Sequence, residues 1–280
     1  MKIALRWLLL IQLVTFWPVW GWYLNRISDR SDEPWGLLAL LTALVFLFSR
    51  NKNGEIRTHH LALSAGCTAF YLITFQHMVP LGRAGLAIAS MALILSPAQL
   101  GRSMHLGVFA LLLLSLPIIA TMQFYLGYPV RLVTAHLVAW LLNLFSFPVS
   151  AQGTGLHLAA EVVCVDAPCS GIRMLWSGLY LNFTLACFAD LSSFRTWLTY
   201  IFAMPVIFIG NVLRAFSLFF IEARIITAPQ WAHNGIGLIV FALTSMTIMY
   251  FCNKMRTGSK PHPIPPNLHD HSDIKKEALS

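Results

Sequence analysis

Charge is what this chain has least of: lysine, arginine, aspartate and glutamate together make up 11% of its 280 residues, against 57% hydrophobic. That complement is too small to clothe a soluble globule of this length, and with a mean hydropathy of +0.68 the composition specifies a polytopic membrane protein. Acidic residues are scarcer than basic ones, 11 against 19. In a soluble protein the net charge of +8 would suggest a nucleic-acid partner; here it reads as the lysine and arginine excess of cytoplasmic loops, and no nucleic acid is expected. No glycine-rich phosphate loop, CxxC pair or HExxH string occurs, so nucleotide and zinc chemistry lack sequence support, and no cofactor or metal is expected. Internal repeats of the transporter kind are missing as well.

What the chain does have is a series of long apolar runs. The first, residues 3–24, ends in Trp20-Gly21-Trp22-Tyr23, too bulky for a cleavage site, and so reads as a retained span rather than a removed signal peptide. Further spans are expected at 35–48, 61–79, 84–100, 106–126, 170–189, 196–221 and 234–252. Residues 132–149 are ambiguous. The segment is apolar, contains His136 and Asn143, and is bracketed by Pro129 and Pro148, so it either crosses or lies in the interface plane.

Loop charges arbitrate. With a cytoplasmic N-terminus and no crossing at 132–149, the inside holds Lys2, Arg6, Arg50, Lys52, Arg57, Arg102, Arg195, Lys254, Arg256, Lys260, Lys275 and Lys276, twelve of the nineteen basic residues. A crossing there cuts the inside count to eight. The positive-inside rule therefore favours an all-α membrane protein of about eight transmembrane helices, with an interfacial amphipathic segment near 132–149 and both termini cytoplasmic. One transmembrane domain is expected over 1–253, followed by a disordered polar tail, 254–280, with four prolines.

Between the apolar runs lies one polar island, Val165-Asp166-Ala167-Pro168-Cys169-Ser170-Gly171-Ile172-Arg173. Cys169 falls at the N-terminal edge of a predicted helix, where free N–H groups and the helix dipole favour a thiolate. Arg173, one turn on, would reinforce the effect. The plainer reading is a loop and helix cap with a free cysteine. Two further polar residues mark later spans. Arg214, in Asn211-Val212-Leu213-Arg214, lies inside an apolar run, where a cation by default marks a functional site; otherwise it snorkels to the surface or pairs with Glu222. His233 opens the last span as a catalytic or a merely interfacial histidine. In the eight-span arrangement Cys169, Arg214 and His233 share the outer leaflet.

The strings Pro168-Cys169-Ser170-Gly171-Ile172-Arg173 and Asn211-Val212-Leu213-Arg214, with His233 before the last span, resemble the exosortase/archaeosortase family of integral-membrane cysteine transpeptidases. The resemblance extends to Asp32-Glu33-Pro34-Trp35 and to Gln123-Phe124-Tyr125-Leu126-Gly127-Tyr128-Pro129, and so covers roughly residues 30–252. It implies cleavage of a C-terminal sorting signal on exported proteins, a short Pro-Glu-Pro-like motif followed by a hydrophobic helix and a basic cluster, at the outer face of a bacterial inner membrane. Cys169 would be the nucleophile, Arg214 the essential cation and His233 the acid/base, with Ser170, Gly171, Arg173 and Asn211 supporting them or binding substrate. The partners implied are the signal itself, membrane lipid and an acceptor on a surface polymer. Met174 departs from the many members that carry a small polar residue after the arginine.

Independently of any family, cysteine-mediated peptide cleavage needs a thiolate, a donor for the oxyanion and an acid for the leaving amine, and these three residue types supply them. Alternatives of other classes are a noncatalytic assembly factor for exported polymers, and a small-solute transporter with Arg214 and His77 lining its path. A disulfide between Cys164 and Cys169, both on the oxidising side, would remove the nucleophile.

Overall fold

The computed structural model describes residues 2–28, 35–50, 54–159, 161–165, 170–229 and 231–257. Of the features read from the sequence, Cys169, the acidic residues of the 29–34 loop and residues 258–280 of the tail lie outside these.

The chain begins with an elbow. Helix α1 (Lys2–Thr15) and α2 (Trp17–Ser28) meet at Phe16 with a bend of 64°. Pro18 explains the break, because it has no N–H to bond the carbonyl four residues back and its ring would clash there. Phe16 is fully buried at the corner, edge-on to Tyr71. Helix α3 (Trp35–Ser49) is short and apolar. Helices α4 (Thr58–Thr74) and α5 (Pro80–Leu100) pack as a hairpin, joined to α1 by buried polar side chains: Gln12 Nε2 donates to Ser64 and Ser90 Oγ, both at 2.8 Å. Such interhelical bonds between small polar residues hold helices together where water is absent.

The next apolar run also breaks. Helix α6 (Leu106–Leu114) stops at Ser115-Leu116-Pro117, and α7 (Ile119–Leu144) leaves at 89° to it. The expected span 106–126 is thus two pieces. Residues 132–144 of the expected interfacial segment continue α7, a single helix of 26 residues that accommodates Pro129. Only 145–149 leave it, and Asn143 Nδ2 ties that exit down by donating to the carbonyls of Ala139 and Val149 at 2.7 Å.

A small sheet follows where the sequence shows no span. Strands β1 (Ser150–Gln152), β2 (Gly155–Leu158) and β3 (Glu161–Cys164) form an antiparallel meander in the order β1-β2-β3. Gly153, at φ +60°, makes the first turn. Val149, Leu156 and Val165 pack with Ala135, Val138 and Leu142 of α7 against a second core that includes Val212 and Phe219. The fold is therefore all-α apart from these few residues.

Three long helices complete it: α8 (Ile172–Phe188), α9 (Ser193–Glu222) and α10 (Trp231–Thr257). Glycine permits their close crossing. A Cβ on Gly178 would stand 2.5 Å from Ile207, and one on Gly210 would meet Thr244 of α10 and Met174 of α8 together. Small residues at such crossings are how helices approach in lipid. Met174 is thus a buried packing residue at the junction of all three helices. Their outward faces carry Leu213, Leu238, Ile239 and Leu243, large exposed apolar residues suited to hydrocarbon.

Among the described residues, fewer helices than the expected eight are long and apolar enough to cross a membrane. By length and hydropathy α5, α9 and α10 qualify as single helices, and the two bent pairs raise the number to five. The apolar runs were read as continuous, but Pro18 and Pro117 divide two of them, and α3, α4 and α8 are only 15 to 17 residues long. A hydrocarbon core calls for about 20.

Candidate active site

Ser170 and Gly171 are the last residues before α8, and the site is built outward from them. Gly171 adopts φ +78°, the left-handed region that favours glycine, and serves as the N-cap of α8. It is also pressed against α9: a Cβ here would lie 2.6 Å from Cγ of Asn211. Two separate constraints, conformation and space, therefore call for glycine at this position. Ser170 is 2% exposed, and its Oγ donates to Oε1 of Gln123 on α7 at 2.8 Å. The segment following Cys169 is in this way pinned to α7 on one side and to α9 on the other.

Asn211 is buried on α9, and Arg214 stands one turn further along it. The guanidinium lies against α10, where Gly237 leaves room for it; a Cβ on Gly237 would sit 3.3 Å from Nε of Arg214. That Nε is buried and has no hydrogen-bond partner among the described residues. An unpartnered buried donor on a half-buried cation within an apolar helix makes Arg214 a candidate site residue. The expected alternative of pairing with Glu222 does not occur. Glu222 instead accepts from Nδ1 of His233 at 3.1 Å, joining the last residue of α9 to the first turn of α10. This contact fixes one imidazole nitrogen and leaves Nε2 for other use.

The structure thus brings Gly171 to Asn211, Ser170 to Gln123 and Arg214 to α10 one turn from His233. It does not join every expected residue. No hydrogen bond or ion pair links Arg214 to His233 among the described residues, and Arg173 is exposed on the first turn of α8. Three residues had no role in the sequence reading. Gln123 lay in a quoted stretch without a function, Gly237 was not singled out, and Glu222 was weighed only as a partner for Arg214. A signal for Glu222 exists, since it is the lone carboxylate between Asp190 and the end of α10. Cys164, at the end of β3, is an exposed free thiol.

The opposite end of α8 has another polar cluster of a different kind. Asp190, in the α8–α9 turn, meets Arg50 Nη1 at 2.9 Å and Arg102 Nη2 at 3.3 Å, with His105 at 3.7 Å. Arg102 also donates to the carbonyl of Leu191 at 2.9 Å, and Arg195 to that of Met255 at 3.0 Å. Burial, followed by the nearby Arg102, pushes the His105 imidazole below its usual pKa, with Asp190 opposing.

No curated protein and no solved structure matches the chain. A family model described as transmembrane exosortase does match it, over residues 4–250. That stretch takes in the elbow, the sheet and all of α3 to α9, and so spans every residue of the site above. The chain belongs to the transmembrane exosortase family.

Proposed function

We propose that the protein is a cysteine peptidase or transpeptidase that cleaves a C-terminal sorting signal from exported proteins. The family is generally one of membrane cysteine transpeptidases, which supports a transpeptidase-like activity. The observation that carries the finer reading is Arg214, a half-buried cation whose buried Nε has no partner among the described residues, one turn from the asparagine that packs on Gly171.

In this reading the Cys169 thiolate attacks the scissile carbonyl carbon, and the guanidinium of Arg214 holds the oxyanion that forms. His233, with Nδ1 occupied by Glu222, donates a proton from Nε2 to the departing amine. The C–N bond breaks and a thioester remains on Cys169. Neutral His233 then takes a proton from an amine, hydroxyl or water that attacks the thioester, and the thiolate is restored. An acceptor on a surface polymer gives transpeptidation; water gives hydrolysis. Ser170, Gly171, Asn211 and Gln123 hold the nucleophile's segment in place, while Arg173 orients the loop or meets a substrate carboxylate. The basic cluster about Arg50, Arg102 and Arg195 lies at the other end of α8 and α9, which favours a cytoplasmic position for that end and an outward-facing site in an inner membrane. The tail would then be cytoplasmic.

The test is processing of a reporter carrying a signal of short motif, apolar helix and basic cluster, followed by gel shift. Native chain should shorten the reporter and Cys169→Ala should not. Equal processing by a stably expressed Cys169→Ala defeats the mechanism and leaves an assembly factor or transporter as the better reading.

A further inference from the structure

Among the described residues strand β3 is an open edge of the sheet, and the chain runs on from it to Cys169. Its register on β2 pairs Cys164 with Gly155, Val163 with Leu156, Val162 with His157 and Glu161 with Leu158. The N–H of Val165 donates to the carbonyl of Thr154 at 2.9 Å. In an antiparallel ladder, residues whose backbone groups face the partner alternate with residues whose groups face away. Val165, Val163 and Glu161 therefore turn theirs to β2, and Val162 and Cys164 turn theirs to the far side. Among the described residues those outward N–H and C=O groups have no hydrogen-bond partner.

Open edges invite a further strand, and proteins usually blunt them with lysine, proline or a bulge. None of these is present in Glu161-Val162-Val163-Cys164, and Val162 is 52% exposed. Cys164 precedes Cys169 by five residues, at most about 17 Å of extended chain. The backbone groups of a peptide cleaved at Cys169 need partners, and those of β3 lie within that reach. Two residues offering four groups are too few for a stable dimer interface but enough to align one segment.

We propose that β3 binds the substrate by strand addition: the extended residues flanking the scissile bond pair with the outward groups of Val162 and Cys164, which sets the register of the bond at Cys169. The inference rests on Cys169 as nucleophile, and its occupant is an extended peptide.

Two experiments test it. Val162→Pro removes an outward N–H while sparing the bonds to β2, so β3 should persist. Processing of the reporter should fall about tenfold below that of Val162→Ala, which keeps the N–H. In a Cys169→Ala background, single cysteines placed along the reporter's signal are oxidised against Cys164. Strand pairing brings Cα atoms within disulfide range, so adducts should appear at alternate positions and vanish with Cys164→Ser. Native-level processing by Val162→Pro, or adducts absent or uniform along the signal, overturns the proposal even where Cys169→Ala is inactive. A Cys164–Cys164 dimer in their place assigns the edge to a second copy and overturns it too. Retained processing by Cys169→Ala is the separate result that overturns the nucleophile itself.

Discussion

The two ends of α8 treat charge in opposite ways. At its C-terminal end Asp190 is surrounded by Arg50 and Arg102, and Arg102 fills its remaining geometry with backbone carbonyls. Every charge there has an opposite or an acceptor, and the result ties the end of α3, the 101–105 link and the α8–α9 turn together. At the N-terminal end Arg214 lies on α9 with Nε buried and no acceptor among the described residues, in a slot that Gly237 keeps open. Pairing makes a charge structural. A charge left with a spare buried donor is the one to test for a role beyond packing.

Exchanging charge for a neutral amide at each end is the sharpest way to break this contrast. Arg214→Gln should abolish reporter processing, a loss of at least about 100-fold, with expression and thermal stability close to native. A variant that is destabilised yet still processes would make Arg214 structural and erase the distinction. Gly171→Ala comes next. It forces a side chain into a left-handed conformation and against Asn211, and should cost about 1–3 kcal/mol in a denaturation midpoint along with a severalfold loss of processing. Unchanged behaviour of this variant would show that the segment is not pinned to α9. The smallest effect is expected at the other end. Asp190→Asn leaves two arginines facing an amide, and because the cluster is about one-third exposed the loss should be about 1 kcal/mol, seen as a slightly lower Tm with processing retained. Abolished processing there would mean that the two ends are coupled.

Much of the membrane character was legible because it depends on composition and run length alone. The helices at 35–49, 80–100, 172–188, 193–222 and 231–257 lie where the apolar runs predict them. The breaks at Phe16 and at 115–118 were less visible, since a single proline inside a run is compatible with a kinked span and only packing decides how far it bends. The sheet was not legible at all: three or four residues per strand give too little alternation to register, and what stabilises them is the apolar surface of α7 and α9 beneath. At the candidate site, residue types singled out Arg214 and His233, but the neighbours of each did not follow from spacing. Arg214 and Glu222 are two turns apart on one helix and looked like a pair. The fold gives the carboxylate to His233, 11 residues away across a turn.

The sequence by itself determined that the chain resides in a membrane, that its polar residues concentrate at a few places, and that Gly171 and Arg214 are the unusual choices within apolar surroundings. These follow from transfer free energy and backbone sterics, which act residue by residue. Only the tertiary structure decided that Gly171 meets Asn211, that Gly237 makes room for a guanidinium, that Glu222 holds His233, and that β3 is the last strand of its sheet among the described residues. Those are contacts between elements distant along the chain, and their geometry is set by how α8, α9 and α10 cross at glycines, a property no local pattern contains.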